Sequence, residues 1–491
     1  MDVFQVLTER KENEPNKIAF WTSKGAFSFN QLWSAVNGFG HLLKKEGFTP
    51  GDKLAIWSWN NLSYVVAVLS VWSLGGIVIP LDEGTKPEGV IQFLNHAEAK
   101  FLLTAPRGKS TLNLIRQQTP SLKTIFSLED PLKSFSQTHL DFKTDKTTPA
   151  AIIYTSGTTG SPKGIVLTYH HLDSPVMTLN HFGYLSPQDV YLALAPFSHL
   201  GGLVGILIAF ASAGTLVLME RFIPNLFLKY IHQHKVTGFF CPPTVLQSLL
   251  LQEDVDSNML QSVRWLASFG APCPPAVIRA FSERYPWIDF VTGYGLTESS
   301  APNVLMPLGI PLEKKLEPGI VGQPAPWVEV KVVNEAGESL PSGHIGEILL
   351  KGWFIMSGYY KEPELTQKVI KDDWLYTGDL GYIDESGFLH ITGRKKEVII
   401  VGGLNVYANE VEFILQEHPA VAEVAVVGVP DGIRGEVVKA VIVPKTDVSV
   451  QEIINFCRKK LAPYKVPRVV EFRQFLPKTT SGKVRKADLV S

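Results

Sequence analysis

Strand-like and helix-like apolar patterns alternate through roughly the first 390 residues of the chain, and this alternation constrains the fold more than any other feature. Strand, helix and strand in succession are closed most simply by a crossover that leaves the two strands parallel. The pattern therefore predicts an α/β protein: a large N-terminal domain of layered α/β subdomains with mostly parallel sheets. Two apolar runs, residues 64–81 and 200–219, are long enough to raise a membrane span. Both contain internal Gly and Ser and end in β-branched segments, Gly76-Ile77-Val78-Ile79 and Gly214-Thr215-Leu216-Val217. Each run is expected to be a buried helix leading into a buried strand, with no transmembrane segment.

The pattern changes near Gly393-Arg394-Lys395-Lys396-Glu397. A strand-like run follows at 398–401, then Gly402-Gly403. Asn409 and Glu412, and later Ser449 and Glu452, have the spacing of a capping box and predict two helix starts. In the second helix Ile453, Cys457 and Leu461 fall on one face, which makes Cys457 a core residue. Two β-rich runs, 422–427 and 437–443, lie between the helices. The tail reads as a small α+β domain of about a hundred residues, mobile because a charged linker joins it to the rest. The expected division is 1–393, a hinge at 394–396, and 397–491.

Over 491 residues the formal net charge is -1, which makes no case for nucleic-acid binding. From Arg394 onward there are 16 Lys+Arg against 11 Asp+Glu, a balance of +5, leaving -6 for the remainder. Such a tail is either a solvated surface or a basic domain that meets polyphosphate ligands. Cys241, Cys273 and Cys457 lie far apart without metal-ligand spacing, and the N-terminus lacks an apolar leader. Both features suggest reduced thiols in a cytoplasmic protein.

The string Tyr154-Thr155-Ser156-Gly157-Thr158-Thr159-Gly160-Ser161-Pro162-Lys163-Gly164 carries the chemistry. Its glycines permit close backbone approach to a ligand. Its hydroxyls, amides and lysine can donate to phosphate oxygens. It is not a Walker loop, because the lysine leads into Ile165-Val166-Leu167-Thr168, a strand pattern and not a helix. The expected unit is strand–loop–strand. On composition alone the same string also suits a flexible surface turn.

The whole string resembles the signature loop of the adenylate-forming superfamily, which includes acyl-CoA synthetases, firefly luciferase and peptide-synthetase adenylation domains. Further motifs follow in that family's order from Thr155 to Lys486, most like those of a bacterial fatty-acid or acyl-CoA ligase. The resemblance implies an AMP-forming acid–thiol ligase. ATP would activate a carboxylic acid as an acyl-adenylate, and the acyl group would pass to coenzyme A.

The resemblance also implies roles for single residues. In Thr292-Gly293-Tyr294-Gly295-Leu296-Thr297-Glu298, Glu298 would bind Mg²⁺, Thr297 would contact the α-phosphate and Tyr294 would stack on adenine, with Gly295 in the turn. Thr155 would join Glu298 at the metal. A lone carboxylate among phosphates needs such a metal bridge, since Mg²⁺ is usually held by one or two carboxylates plus phosphates and waters. Thr155, Ser156, Gly157, Thr158, Thr159, Gly160 and Lys163 would cradle the phosphates. Gly270, Ala271 and Pro272 would border adenine. Phe269 stands where the family often has Gly, a departure that would either narrow the neighbouring acyl pocket or carry no consequence. Asp379 in Tyr376-Thr377-Gly378-Asp379 would bind the ribose diol, for which a short carboxylate is a suitable acceptor. Arg394 would reach ribose and phosphate, and Lys396 would be the hinge residue. Lys483 in Ser481-Gly482-Lys483-Val484 would be the catalytic lysine of adenylation. Attack of a carboxylate on the α-phosphorus needs positioned cations and little covalent help. No cysteine nucleophile is therefore expected.

Ala195-Pro196-Phe197-Ser198-His199-Leu200-Gly201-Gly202 resembles the Pro-x-x-His-x-x-Gly segment of the family's CoA ligases, in whose neighbourhood amino-acid-activating members place an aspartate. His199 is a candidate catalytic residue there, and no carboxylate is present to hold an α-ammonium group. Leu203, Ile206, Leu207, Phe239 and Phe240 suit either an apolar acyl or aryl group or an ordinary core. Gly402-Gly403 and Pro430-Asp431-Gly432 look like stretches of coenzyme A ligases. Coenzyme A is thus the expected acceptor and an acyl carrier protein the alternative. A kinase or simple ATPase would yield ADP instead of AMP, and an inactive relative should have lost Glu298 or Lys483. The sequence leaves the acid, its chain length and the oligomeric state open.

Overall fold

The computed structural model describes residues 3–140, 145–155, 163–212, 214–252, 256–478 and 484–490, with side chains from residue 5 onward. Two large sheets carry the first 394 residues. In one, five strands run parallel in the order Pro149–Thr155, Ile77–Leu81, Lys53–Trp57, Phe101–Thr104 and Thr124–Ser127. Lys163–Thr168 adds antiparallel to Pro149–Thr155, and Gly358–Tyr359 closes that edge. The expected strand–loop–strand is therefore present, with Thr155 paired to Lys163 at its mouth.

The other sheet is parallel across Asp289–Tyr294, Trp265–Ser268, Gly238–Cys241, Val190–Ala193, Thr215–Leu218 and Ile18–Thr22. The parallel order ends at Tyr294. From Val304–Leu305 to Leu389–Arg394 the strands pair antiparallel.

Both long apolar runs resolve as expected. Helix Leu62–Ser73 is buried along its whole length and leads into the buried strand Ile77–Leu81. Helix Leu200–Ala211 leads into Thr215–Leu218. Among the described residues no helix is long and apolar enough to cross a membrane. These helices fill the space between the sheets, in one core that joins Tyr64 and Ile153 to Leu207 and Trp265. A second core around Phe239, Leu246 and Phe281 covers the other face of the larger sheet.

After Arg394 the chain enters a separate five-stranded sheet with its own core around Val406, Val411, Val426 and Ile453. Ser449 caps helix Val450–Arg458, accepting from the Glu452 N–H at 3.2 Å, and Ile453 and Cys457 are fully buried. The other expected cap is corrected. Strand Leu404–Tyr407 runs directly into helix Ala408–Gln416, so Asn409 lies inside the helix and caps nothing. Glu412 is not free to cap, because its carboxylate accepts from the Val426 N–H at 2.8 Å and pairs with Lys486, also at 2.8 Å.

Candidate active site

The chain leaves Val190–Ala193 through helix Leu200–Ala211 to a strand on one side, Thr215–Leu218. It then returns through helix Pro224–His234 to a strand on the other side, Gly238–Cys241. Such a reversal opens a crevice at the C-terminal ends of the two strands that flank it. Along that edge the sequence motifs come together. The end of Val190–Ala193 carries Phe197, Ser198 and His199. The end of Gly238–Cys241 carries Phe240. Beyond Trp265–Ser268 come Phe269 and the exposed Gly270, Ala271 and Pro272. The end of Asp289–Tyr294 carries Tyr294, Gly295, Thr297 and Glu298.

The His199 loop is held by residues that sequence reasoning missed. Asn60 accepts from the Phe197 N–H at 2.7 Å and donates to the Ala195 carbonyl at 2.9 Å. The Tyr64 hydroxyl donates to the Phe197 carbonyl at 3.0 Å. His199 immediately precedes helix Leu200–Ala211, with Nδ1 3.0 Å from Ser198 Oγ. Leu203, Ile206, Leu207 and Phe239 are buried core, Phe239 on the far face of the sheet. Of the apolar candidates there, Phe240 is the one that stays partly exposed.

Glu298 is positioned by the edge strand of the other sheet. Tyr359 pairs with Ile165, next to the loop mouth, and its hydroxyl donates to Glu298 Oε1 at 3.0 Å. The Met356 N–H donates to the Glu298 carbonyl at 2.8 Å. Neither Tyr359 nor Met356 belongs to a recognisable motif. Among the described residues Glu298 has no ion-pair partner. A half-exposed carboxylate with no ion pair among the described residues is a ligand that fits Mg²⁺.

Tyr294, Asp379 and Arg394 form one network. The Tyr294 hydroxyl donates to Asp379 Oδ2 at 2.8 Å, and Arg394 Nε lies 3.1 Å from Asp379 Oδ1. A carboxylate offers about four acceptor sites, so two remain for a vicinal diol. Burial holds the Asp379 carboxyl above its ordinary range, although Arg394 and Tyr294 pull it down. Beside this network Glu347 accepts from Lys395 Nζ at 2.9 Å and from the Gly378 N–H at 3.3 Å, tying the linker to the Asp379 turn. Lys396 is exposed in the short turn Lys395–Glu397.

Gly402 and Gly403 make the two-residue turn between Val398–Val401 and Leu404–Tyr407, with φ of 59° and 83°. Left-handed backbone at both positions is the reason for two glycines. The Gly402 N–H donates to the Arg434 carbonyl at 2.8 Å, which joins this turn to the Asp431 turn at one tip of the small domain. Ser156, Gly157, Thr158, Thr159, Gly160 and Lys483 lie outside the described residues. Burial pushes the Cys273 thiol up to about 12 and raises Cys241 as well, so neither is a thiolate at neutral pH.

Comparison with known proteins gives the family. The family profile described as AMP-binding enzyme matches residues 7–360, and that of the AMP-binding enzyme C-terminal domain matches 410–483. A long-chain-fatty-acid–CoA ligase of Bacillus subtilis is 32% identical, covering 99% of this chain and 93% of its own length. A feruloyl-CoA synthase of Amycolatopsis is 31% identical, covering 98% and 96%. The crystal structure of ATP-bound MatB from Rhodopseudomonas palustris superposes with a TM-score of 0.92 at 30% identity, covering 100% of this chain and 98% of that one. The chain belongs to the AMP-binding enzyme family and is an acid–thiol ligase of the acyl-CoA synthetase type, with ATP and coenzyme A as its co-substrates.

Proposed function

We propose that the enzyme activates an apolar carboxylic acid as its acyl-adenylate, with release of pyrophosphate, and passes the acyl group to coenzyme A. The observation that carries the choice of acid is the character of the switch-point crevice. Its edge presents Phe240 and Phe269, both partly exposed, and a His199 loop held by the neutral side chains of Asn60 and Tyr64. An α-ammonium group buried there without a carboxylate would be costly.

In this reading the acid's carboxylate attacks the α-phosphorus of ATP, and pyrophosphate leaves. Lys483 and Thr297 stabilise the charge that builds on the α-phosphate. The loop from Thr155 to Lys163 cradles the phosphates. Asp379 holds the ribose diol, Arg394 reaches ribose and phosphate, and the Tyr294 ring borders adenine with Gly270, Ala271 and Pro272. Glu298 and Thr155 would hold Mg²⁺, which when bound offsets phosphate charge. His199 lies at the acyl side as a candidate catalytic group. Residues 394–396 are the hinge on which 397–491 turns, so that Lys483 serves the first step and the Gly402-Gly403 tip the second. Three free cysteines held as thiols support a reducing, cytoplasmic setting.

The test is a panel of fatty, aryl and amino acids with ATP and Mg²⁺, with and without coenzyme A. AMP and pyrophosphate should form in equal amounts with fatty or aryl acids, and isotope exchange between pyrophosphate and ATP should not respond to free α-amino acids. Formation of ADP, or exchange confined to an amino acid, would overturn the reading.

A further inference from the structure

The crevice has an aromatic wall. The Phe240 and Phe269 rings stack with centroids 5.5 Å apart at 27°. Phe240 also lies 5.2 Å from Trp265, which is fully buried and meets Tyr184 edge-on at 5.2 Å. Glycines on neighbouring strands seat two of these rings. A Cβ on Gly238 would stand 2.3 Å from Trp265 Cε2, and a Cβ on Gly293 would stand 2.2 Å from Phe269 Cε1. The rings thus occupy the space that side chains would take on the adjacent strands. Behind Gly293, Leu305 closes the way, since the same Cβ would be 2.9 Å from Leu305 Cδ1.

Along the strand, Phe239 points into the opposite core while Phe240 faces the space between the two sheets. Phe240 and Phe269 are only partly buried, so ring surface remains for contact at the mouth of the crevice. The loop after Val190–Ala193 is held in its turn. Phe197 is buried against Tyr64, with ring centroids 5.4 Å apart, and its backbone is held by Asn60 and Tyr64.

We infer that the Phe240–Phe269 stack is the end wall of the acyl crevice, and that it selects a compact planar acid of the aryl class over a long-chain fatty acid. The inference rests on the adenylation reading above and narrows its substrate. A flat acid gains ring contact with the stack. A long alkyl chain must continue through the volume that the Phe269 ring occupies, and a close-packed interior does not yield such volume cheaply.

The test compares kcat/KM for benzoate, cinnamate and dodecanoate by pyrophosphate release, in the wild type and in Phe269→Gly and Phe240→Ala. The wild type should favour an aryl acid over dodecanoate. Each variant should move the dodecanoate-to-aryl ratio toward dodecanoate by on the order of tenfold. Thermal unfolding checks that the variants fold, and where one does not, the wild-type ratio and the other variant decide. A wild type that prefers dodecanoate, or a ratio that neither folded variant moves, overturns the inference and leaves adenylation standing. Absence of pyrophosphate release with every acid overturns the adenylation reading and the inference together.

Discussion

Asp379 is pulled in opposite directions. Burial raises its carboxyl above the ordinary 3.8, Arg394 and Tyr294 lower it, and the negative charges of Glu397 and Glu298 raise it again. The net direction is upward, so ionisation works against the fold. The penalty is absent while the group is protonated in both states and grows as pH rises above about 3.8. Asp379→Asn keeps an acceptor for the Tyr294 hydroxyl and removes that penalty. At neutral pH the variant should match or exceed the wild-type Tm, with the gap closing on acidification, while adenylate formation falls on the order of a hundredfold. Calorimetry with pyrophosphate exchange checks both parts. A clear loss of Tm at neutral pH with activity retained would overturn both the electrostatic account and the ribose role. At this scale Asp379 and Glu298 were legible because each sits in a short motif. Tyr359 was not, because its bond to Glu298 joins residues 61 positions apart and no local pattern records it.

The strand Lys163–Thr168 ends in a turn that contains a second titrating group. His171 Nδ1 accepts from the Thr168 N–H at 3.2 Å, and the His171 N–H returns a bond to Thr168 Oγ1 at 3.2 Å. Burial, aided by the neighbouring His170, lowers the imidazole to about 4. A depressed histidine stabilises the fold while neutral, and that stability is lost as pH falls from 6.5 toward about 4. The loss should be on the order of 3 kcal/mol at most, since the ring is partly exposed and solvent screens part of it. It should read as a Tm that falls over this window more steeply in the wild type than in His171→Gln; parallel curves would refute it. The strand itself was legible from its apolar run and from the lysine that precedes it. The Asn409 cap was misread because capping-box spacing is a local signal. Here tertiary partners, Val426 and Lys486, had already claimed the Glu412 carboxylate.

Across the whole molecule, the small domain is tied together around the linker. Lys486, three residues beyond Lys483, pairs with Glu412 at 2.8 Å and with Glu397, next to residues 394–396, at 3.3 Å. If the domain turns about 394–396, these bonds carry the Lys483 segment with it. Lys483→Ala should therefore abolish adenylate formation yet leave thioester formation from a supplied acyl-adenylate largely intact. Equal loss of both half-reactions in folded protein would refute the division of labour. Lys396→Pro fixes φ at the hinge and restricts Lys395. It should impair thioester formation more than adenylation, and single-turnover assays of each half-reaction would register the opposite order as failure.

The α/β class, the strand–loop–strand, the small α+β tail and the family were legible from sequence alone. Each is written in local periodicity or in a short run of glycines, hydroxyls and charges. That the strand order reverses at Val190–Ala193, and so where the crevice opens, emerges from the folded chain and not from any local pattern. The fold alone placed Asn60 and Tyr64 behind the His199 loop, and it divided the apolar candidates, sending Phe239 into the far core and leaving Phe240 against Phe269. The physical reason is that a local pattern records that a face is buried or a loop is held, whereas the partner comes from chain more than a hundred residues away, as Asn60 does for the Phe197 N–H.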